Sequence, residues 1–234
     1  MRAMHSNRQR SAGNRTRRSK GLQQRPRRTR FVDIFRSTPP VTVCPNFYVL
    51  AHANGCRFSP ACSYCYLKSS LWHLPAPVAY RNVARLLREV RAWIARDDLE
   101  SYVLNSGNLS DSLAFEPARP LMARLVEVFR RHAAGRPHTL LLVTKGGLRE
   151  CAGLFAAAPC PNVVVSFSVS DPETSRRDER GAAPLAERLR AAARLKRLGW
   201  RVRVRVDPMI LGRDCSATLR AVRRLRPERV TLGT

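Results

Sequence analysis

The chain has 234 residues, 43 Lys and Arg against 17 Asp and Glu, and a formal net charge of +26. Hydrophobic residues make up 44% and charged residues 26%, which is enough apolar content for a core and excludes a wholly disordered chain. No apolar run reaches the length of a membrane-spanning helix, and no apolar stretch follows the basic N-terminus. A membrane span and a secretory signal are therefore not expected, and a cytoplasmic location is.

Residues 1–30 carry eleven Arg or Lys and no Asp or Glu. With so little apolar content they read as a disordered basic tail. The tail holds less than half of the net charge, so the body is basic too. Lysine is confined to Lys20, Lys68, Lys145 and Lys196. A nucleic-acid partner is one reading of this charge. A solvated tail in an arginine-biased composition is the other.

Residues 31–45, with Pro39, Pro40 and Pro45, read as an extended lead-in. Phe47–Ala51 is a short apolar strand. Val78–Ala95 has apolar positions at helical spacing: Val83, Leu86, Leu87, Val90, Trp93 and Ile94. Tyr102–Leu104 is strand-like, and a helix follows over Arg119–His132. Thr139–Thr144 reads as a buried strand, and Leu148–Ala157 as a short helix. Asn162–Val169 is a further strand, and Pro184–Leu198 a helix stopped by Gly199. Arg201–Val206 alternates Arg and Val, which gives a strand with one charged and one apolar face. Cys215–Leu225 is helical and Arg229–Leu232 begins a sixth strand.

A strand–helix unit repeated five times and then a strand predicts an α/β fold with parallel strands. Right-handed crossovers coil such a sheet into a barrel, here a partial, six-stranded TIM-type barrel over residues 31–234. Ligands of such folds sit at the carboxyl ends of the strands. The polar segments fall there: Cys56–Cys65, Asn105–Asp111, Lys145, Ser168–Asp171 and Asp207. Thr234 lies inside the sixth strand with no helix after it, so a C-terminally truncated chain is expected, with an uncovered edge strand that invites aggregation.

Seven cysteines, an odd number without an export signal, argue against a disulfide framework. Cys56, Cys62 and Cys65 share one loop. Three thiolates there suit an iron–sulfur cluster with one iron left open. The same three with a fourth ligand such as His52, Cys44 or His73 would suit zinc. A non-enzymatic, zinc-stabilised nucleic-acid-binding protein is therefore the competing function, and an inactive truncated chain is a third.

The run Gly55-Cys56-x5-Cys62-Ser63-Tyr64-Cys65-Tyr66-Leu67 after a first strand resembles the radical S-adenosylmethionine superfamily. Within it the chain is most similar to the spore photoproduct lyase-like, or DNA repair photolyase, group. The resemblance covers residues 44–234 and rests also on Gly107–Asp111, Val143-Thr144-Lys145 and Ser166-Phe167-Ser168. It implies a 4Fe-4S cluster on Cys56, Cys62 and Cys65, with S-adenosylmethionine on the open iron cleaved to a 5′-deoxyadenosyl radical. Lys145 matches a lysine that contacts the cofactor, and Ser110 and Ser168 match serines that hold its ribose or methionine part. Tyr64 and Tyr66 match aromatic positions that pack near adenine or relay hydrogen, so Tyr66 is the implied catalytic residue. A flavodoxin or ferredoxin is the implied electron donor, and a nucleic-acid lesion the implied substrate.

Two departures stand out. The group's cysteine spacing is Cys-x3-Cys-x2-Cys, and the first gap here is two residues longer, at a small closure cost. Asn108 stands where the lyase has a hydrogen-donating cysteine, and an amide is no hydrogen-atom donor. The resemblance thus carries the radical chemistry further than it carries the substrate.

Several of these residues also have plain structural readings. Lys145 can be a surface lysine, Ser168 a core hydroxyl, and Ser110 and Asp111 the cap of a following helix. Cys44, Cys151, Cys160 and Cys215 read as small apolar residues. The stripe Arg201, Arg203 and Arg205 either meets phosphate or pairs with nearby acids.

Overall fold

The computed structural model describes residues 22–36 and 46–233. Residues 1–21 of the expected tail, the lead-in prolines Pro39, Pro40 and Pro45, Cys44 and Thr234 lie outside those residues. In chain order the elements are β1 (Gln23–Arg25), β2 (Val32–Phe35), β3 (Phe47–Leu50), β4 (Ala53–Asn54), α1 (Leu67–Ser70), β5 (Val78–Tyr80), α2 (Val83–Ile94), β6 (Val103–Asn105) and α3 (Met122–His132). Then come β7 (Thr139–Thr144), α4 (Ala152–Ala156), β8 (Val163–Val169), α5 (Pro172–Arg177), α6 (Leu185–Arg197), β9 (Arg201–Val206), α7 (Ser216–Leu225) and β10 (Arg229–Leu232).

Seven strands form one sheet in the order β10-β9-β8-β7-β6-β3-β2. From β3 to β10 every neighbouring pair is parallel and follows chain order. β2 runs antiparallel along β3, pairing Val32 with Leu50 and Phe35 with Phe47, so the sheet is mixed. The expected six parallel strands are all present. The antiparallel edge strand and a second, three-stranded sheet in the order β1-β5-β4 are additional.

Helices cover one face of the large sheet. Leu104, Leu140, Leu142, Val163, Val165, Phe167 and Val202 point to that face and form one core with α2, α3 and α6. Each fully buried Leu, Val or Phe there contributes about 1.5–3 kcal/mol. Strand alternation sends the intervening residues to the opposite face. Val49, Asn105, Val143, Ser166, Ser168, Arg203 and Arg205 lie there by register.

Two expectations need correction. Val78–Tyr80 is a strand, not the first turn of a helix. All three residues are buried, and Pro75 and Pro77 disfavour helical backbone just before them. The helical period begins at Val83. Residues 22–30, expected within the disordered tail, are also structured. β1 pairs in parallel with β5, and the Asn82 side chain clamps Arg27 by accepting from its N–H at 2.9 Å and donating to its carbonyl at 3.0 Å. The Arg27 guanidinium covers the Tyr80 ring at 5.0 Å, so a cation–π contact holds a residue that charge alone would leave in water.

Candidate active site

The cysteine loop leaves β4 at Asn54 and is docked at both ends. At its start, Gly55 has φ +79° and its N–H donates to the Leu109 carbonyl at 2.8 Å. Further on, the Ser63 N–H donates to the Asp178 carbonyl, and Ser63 Oγ donates to Asp178 Oδ1, each at 2.8 Å. A Cβ on Gly181 would lie 2.1 Å from the Pro60 carbonyl oxygen, so the loop backbone rests directly on that glycine. Cys56, Cys62 and Cys65 are all free and half-buried. Burial pushes the Cys56 thiol up, and the Asp111 carboxylate adds to this. Burial raises Cys62 as well, while Lys145 pulls it down.

Across from this loop, at the end of β7, stands Lys145. Its Nζ donates to Ser168 Oγ at 2.5 Å and lies 3.1 Å from Glu179 Oε1. It also sits 5.7 Å from the centre of the Tyr64 ring. Glu179 is fully buried and is the hub of the cluster. Its Oε2 accepts from Arg188 Nη1 at 2.5 Å and from Ser170 Oγ at 3.1 Å, and the Tyr64 hydroxyl donates to Oε1. Burial alone pushes the Glu179 carboxyl up, but Lys145 and Arg188 outweigh it and hold it below its usual range. The Tyr64 phenol is pushed up by burial and then by Glu179, so it stays protonated and donates. Glu179 and Arg188 carry no motif signal beyond their place after β8. Sequence reasoning missed both.

Asp111 ties the loop after β6 to the loop after β7. Its carboxylate accepts from the N–H groups of Lys145 at 2.6 Å, Leu113 at 2.8 Å and Ala114 at 3.0 Å, and from Thr144 Oγ1 at 2.9 Å. It caps a turn, not a helix. Burial still raises its pKa against those four bonds.

Tyr64, Lys145 and Ser168 are thus brought together around Glu179. Ser110 is buried nearby, but its hydroxyl donates to the adjacent Asp111 carbonyl at 3.0 Å and to no group of the cysteine loop. Tyr66, just past the third cysteine, is more than half exposed, and its hydroxyl donates to the Asn108 carbonyl. Burial and Cys65 raise its phenol, while the Arg205 guanidinium close by lowers it.

Among the described residues, no three His, Cys, Asp or Glu side chains converge as a single ion requires. His52, a possible zinc ligand, is buried with its pKa lowered to about 3, and its Nε2 lies 3.2 Å from the Ser106 carbonyl. An iron–sulfur cluster takes one thiolate per iron, so its ligands need not meet at a point. Lys145 and Arg188 also outnumber Glu179 by one charge, and Arg188 Nη2 is buried without a partner among the described residues. An anionic, thiolate-ligated group with a carboxylate-bearing ligand suits that donor set and charge.

Parallel strands in chain order, with three thiols on one loop at their carboxyl ends and a partly buried lysine across from them, define an α/β fold with a thiol-lined site. Residues 27–224 match the spore photoproduct lyase family, and the chain belongs to that family. No curated protein sequence matches it. Among solved structures it is similar to a cysteine-to-alanine variant of spore photoproduct lyase with dinucleoside spore photoproduct. The TM-score is 0.70 at 21% identity, over 88% of this chain and 57% of that one. A second spore photoproduct lyase complexed with dinucleoside spore photoproduct gives 0.66 at 20% identity, over 88% and 66%. A double variant with bound AdoMet and dinucleoside spore photoproduct gives 0.58 at 18% identity, over 75% and 59%. At these identities the likeness is one of fold, and the chain spans 57% to 66% of the length of the first two of these structures.

Proposed function

We propose that the chain is a radical S-adenosylmethionine enzyme of lyase type that acts on a nucleic-acid lesion. The observation that carries this reading is the docking of the three-cysteine loop against the Lys145–Glu179 pair at the carboxyl ends of the sheet. Family membership supports it, and so do relatives whose structures hold AdoMet and a dinucleoside photoproduct. The six parallel strands in chain order are read as the arc of a partial barrel.

Cys56, Cys62 and Cys65 would hold the cluster. When bound, a 4Fe-4S cluster with S-adenosylmethionine on its open iron supplies one-electron cleavage of the sulfonium to methionine and a 5′-deoxyadenosyl radical. The protein's part is to orient and to shield. Lys145, pinned between Ser168 and Glu179, would present a fixed cation to the methionine carboxylate. Tyr64, locked by its bond to Glu179, offers a ring face beside that cation. The buried Ser110 and the Asp111 turn set the loop that faces the cysteines. Tyr66 is the hydrogen-bearing group at Asn108 and is assigned the hydrogen relay. The site draws its electron from a reduced flavodoxin or ferredoxin, and free thiols on an open loop suit a reducing, cytoplasmic setting.

Metal analysis of anaerobically purified protein tests the reading. Iron and sulfide in equal amounts support it. Stoichiometric zinc without iron contradicts it.

A further inference from the structure

The face of the sheet opposite the helix-side cores carries a row of arginines that the reaction above does not use. Arg201, Arg203 and Arg205 of β9 point there, because Val202, Val204 and Val206 between them are buried in the helix-side cores. Arg229 of β10 joins them, since it stands in register with Arg203. Four guanidiniums therefore share one strip of sheet. Among the described residues, only two carboxylates answer them. Glu228 is shared between Arg201 at 2.5 Å and Arg203 at 2.8 Å, and Asp207 takes Arg205 at 3.0 Å. Among the described residues no carboxylate pairs with Arg229, and the Arg203 Nε is buried without an acceptor.

The strip leads to the site. Arg205 is in register with Ser168, which receives the Lys145 bond, and its charge reaches Tyr66 beside the third cysteine. Successive arginines on one strand face stand about 7 Å apart. A ladder of planar cations at that spacing, with surplus charge and an unsatisfied N–H, matches an extended polyanion better than one compact anion.

We infer that Arg203, Arg205 and Arg229 form a phosphodiester-binding track that lays a nucleic-acid strand across the sheet and delivers the reacting base to the cysteine loop. This rests on the nucleic-acid reading above and deepens it, because the enzyme then holds the backbone beside the lesion as well as the lesion itself. Glu228 occupies Arg203 until a phosphate replaces it.

The test is strand binding by the full chain, read by fluorescence anisotropy against salt with two labelled probes. One is a short oligothymidylate, and the other is the same strand with an uncharged methylphosphonate backbone. The track predicts that Arg203→Gln with Arg205→Gln weakens the charged probe about tenfold or more. The salt slope should become shallower by about 0.7 per arginine, and most of the preference over the neutral probe should disappear. Glu228→Gln should act oppositely, freeing two arginines, tightening the charged probe and steepening its slope. An unchanged slope and preference in the double variant overturns the track. If that variant does not fold, an unchanged or shallower slope in Glu228→Gln overturns it. Binding is read without turnover, so failure of the radical reading would show separately, as absent cofactor cleavage.

Discussion

Lys145 Nζ lies 3.1 Å from Glu179 Oε1, in a setting where the Glu179 side chain is wholly buried and that of Lys145 is 15% exposed. The same carboxylate holds Arg188, so one buried anion keeps two cations in place. Removing one partner of such a set leaves charge without compensation, which costs more than the pair itself contributes.

Glu179→Gln should therefore destabilise the fold by about 3–5 kcal/mol. Urea denaturation followed by circular dichroism measures it, and a midpoint equal to that of the parent chain would show that the triad is not coupled as described.

Gly181→Ala should loosen the cysteine loop. The added Cβ would meet the Pro60 carbonyl at 2.1 Å, and backbone cannot yield cheaply. Iron and sulfide taken up on anaerobic reconstitution should fall well below the parent level. Gly153→Ala is the control, since its Cβ would find only Glu116 Oε2 at 3.6 Å, inside helix α4. There the change should be neutral or stabilising by up to about 1 kcal/mol. Equal cluster content in both variants would refute the loop contact.

Glu228 gives a pH signature. Arg201 holds its carboxyl down at about 2, against an ordinary 4.5, with Arg203 assisting. A carboxylate depressed on folding stabilises above its unfolded pKa, and that stability is lost as pH falls through the folded one. The stability difference between the parent chain and Glu228→Gln should be constant above about pH 5 and shrink steadily from there toward pH 2. Thermal melts at a series of pH values would show it. A difference that does not change with pH would contradict the ion pair.

Much of this was legible in the sequence. The six parallel strands are legible because each apolar run is short and the first five are followed by a helical period. The cysteine loop, Lys145 and Ser168 were visible because each ends or follows a strand. The small sheet was not, because β1 has only exposed residues and draws its strand state from β5. Val78–Tyr80 reads as helix in the sequence because its apolar residues extend the period of α2 backwards. Glu179 and Arg188 look like ordinary charges in an arginine-rich stretch. Only the fold turns Glu179 toward Lys145 and Arg188 toward Glu179 and buries the pair, and no local pattern announces a buried ion pair.

Lys145→Met should weaken S-adenosylmethionine binding about tenfold or more, the worth of one charge-assisted hydrogen bond. Lys145→Arg should recover part of it, because the charge is kept but the geometry beside Ser168 is not. Equilibrium dialysis against the reconstituted protein measures both, and equal affinity in all three proteins would remove Lys145 from the cofactor site.

The central claim is that Cys56, Cys62 and Cys65 together support reductive cleavage of S-adenosylmethionine. The direct measurement is 5′-deoxyadenosine formed by the anaerobically reconstituted chain with dithionite and S-adenosylmethionine, compared with Cys56→Ala, Cys62→Ala and Cys65→Ala. The account predicts 5′-deoxyadenosine from the parent chain and none above background from any of the three variants. Full 5′-deoxyadenosine yield from the variants, or none from an iron- and sulfide-loaded parent, would contradict it.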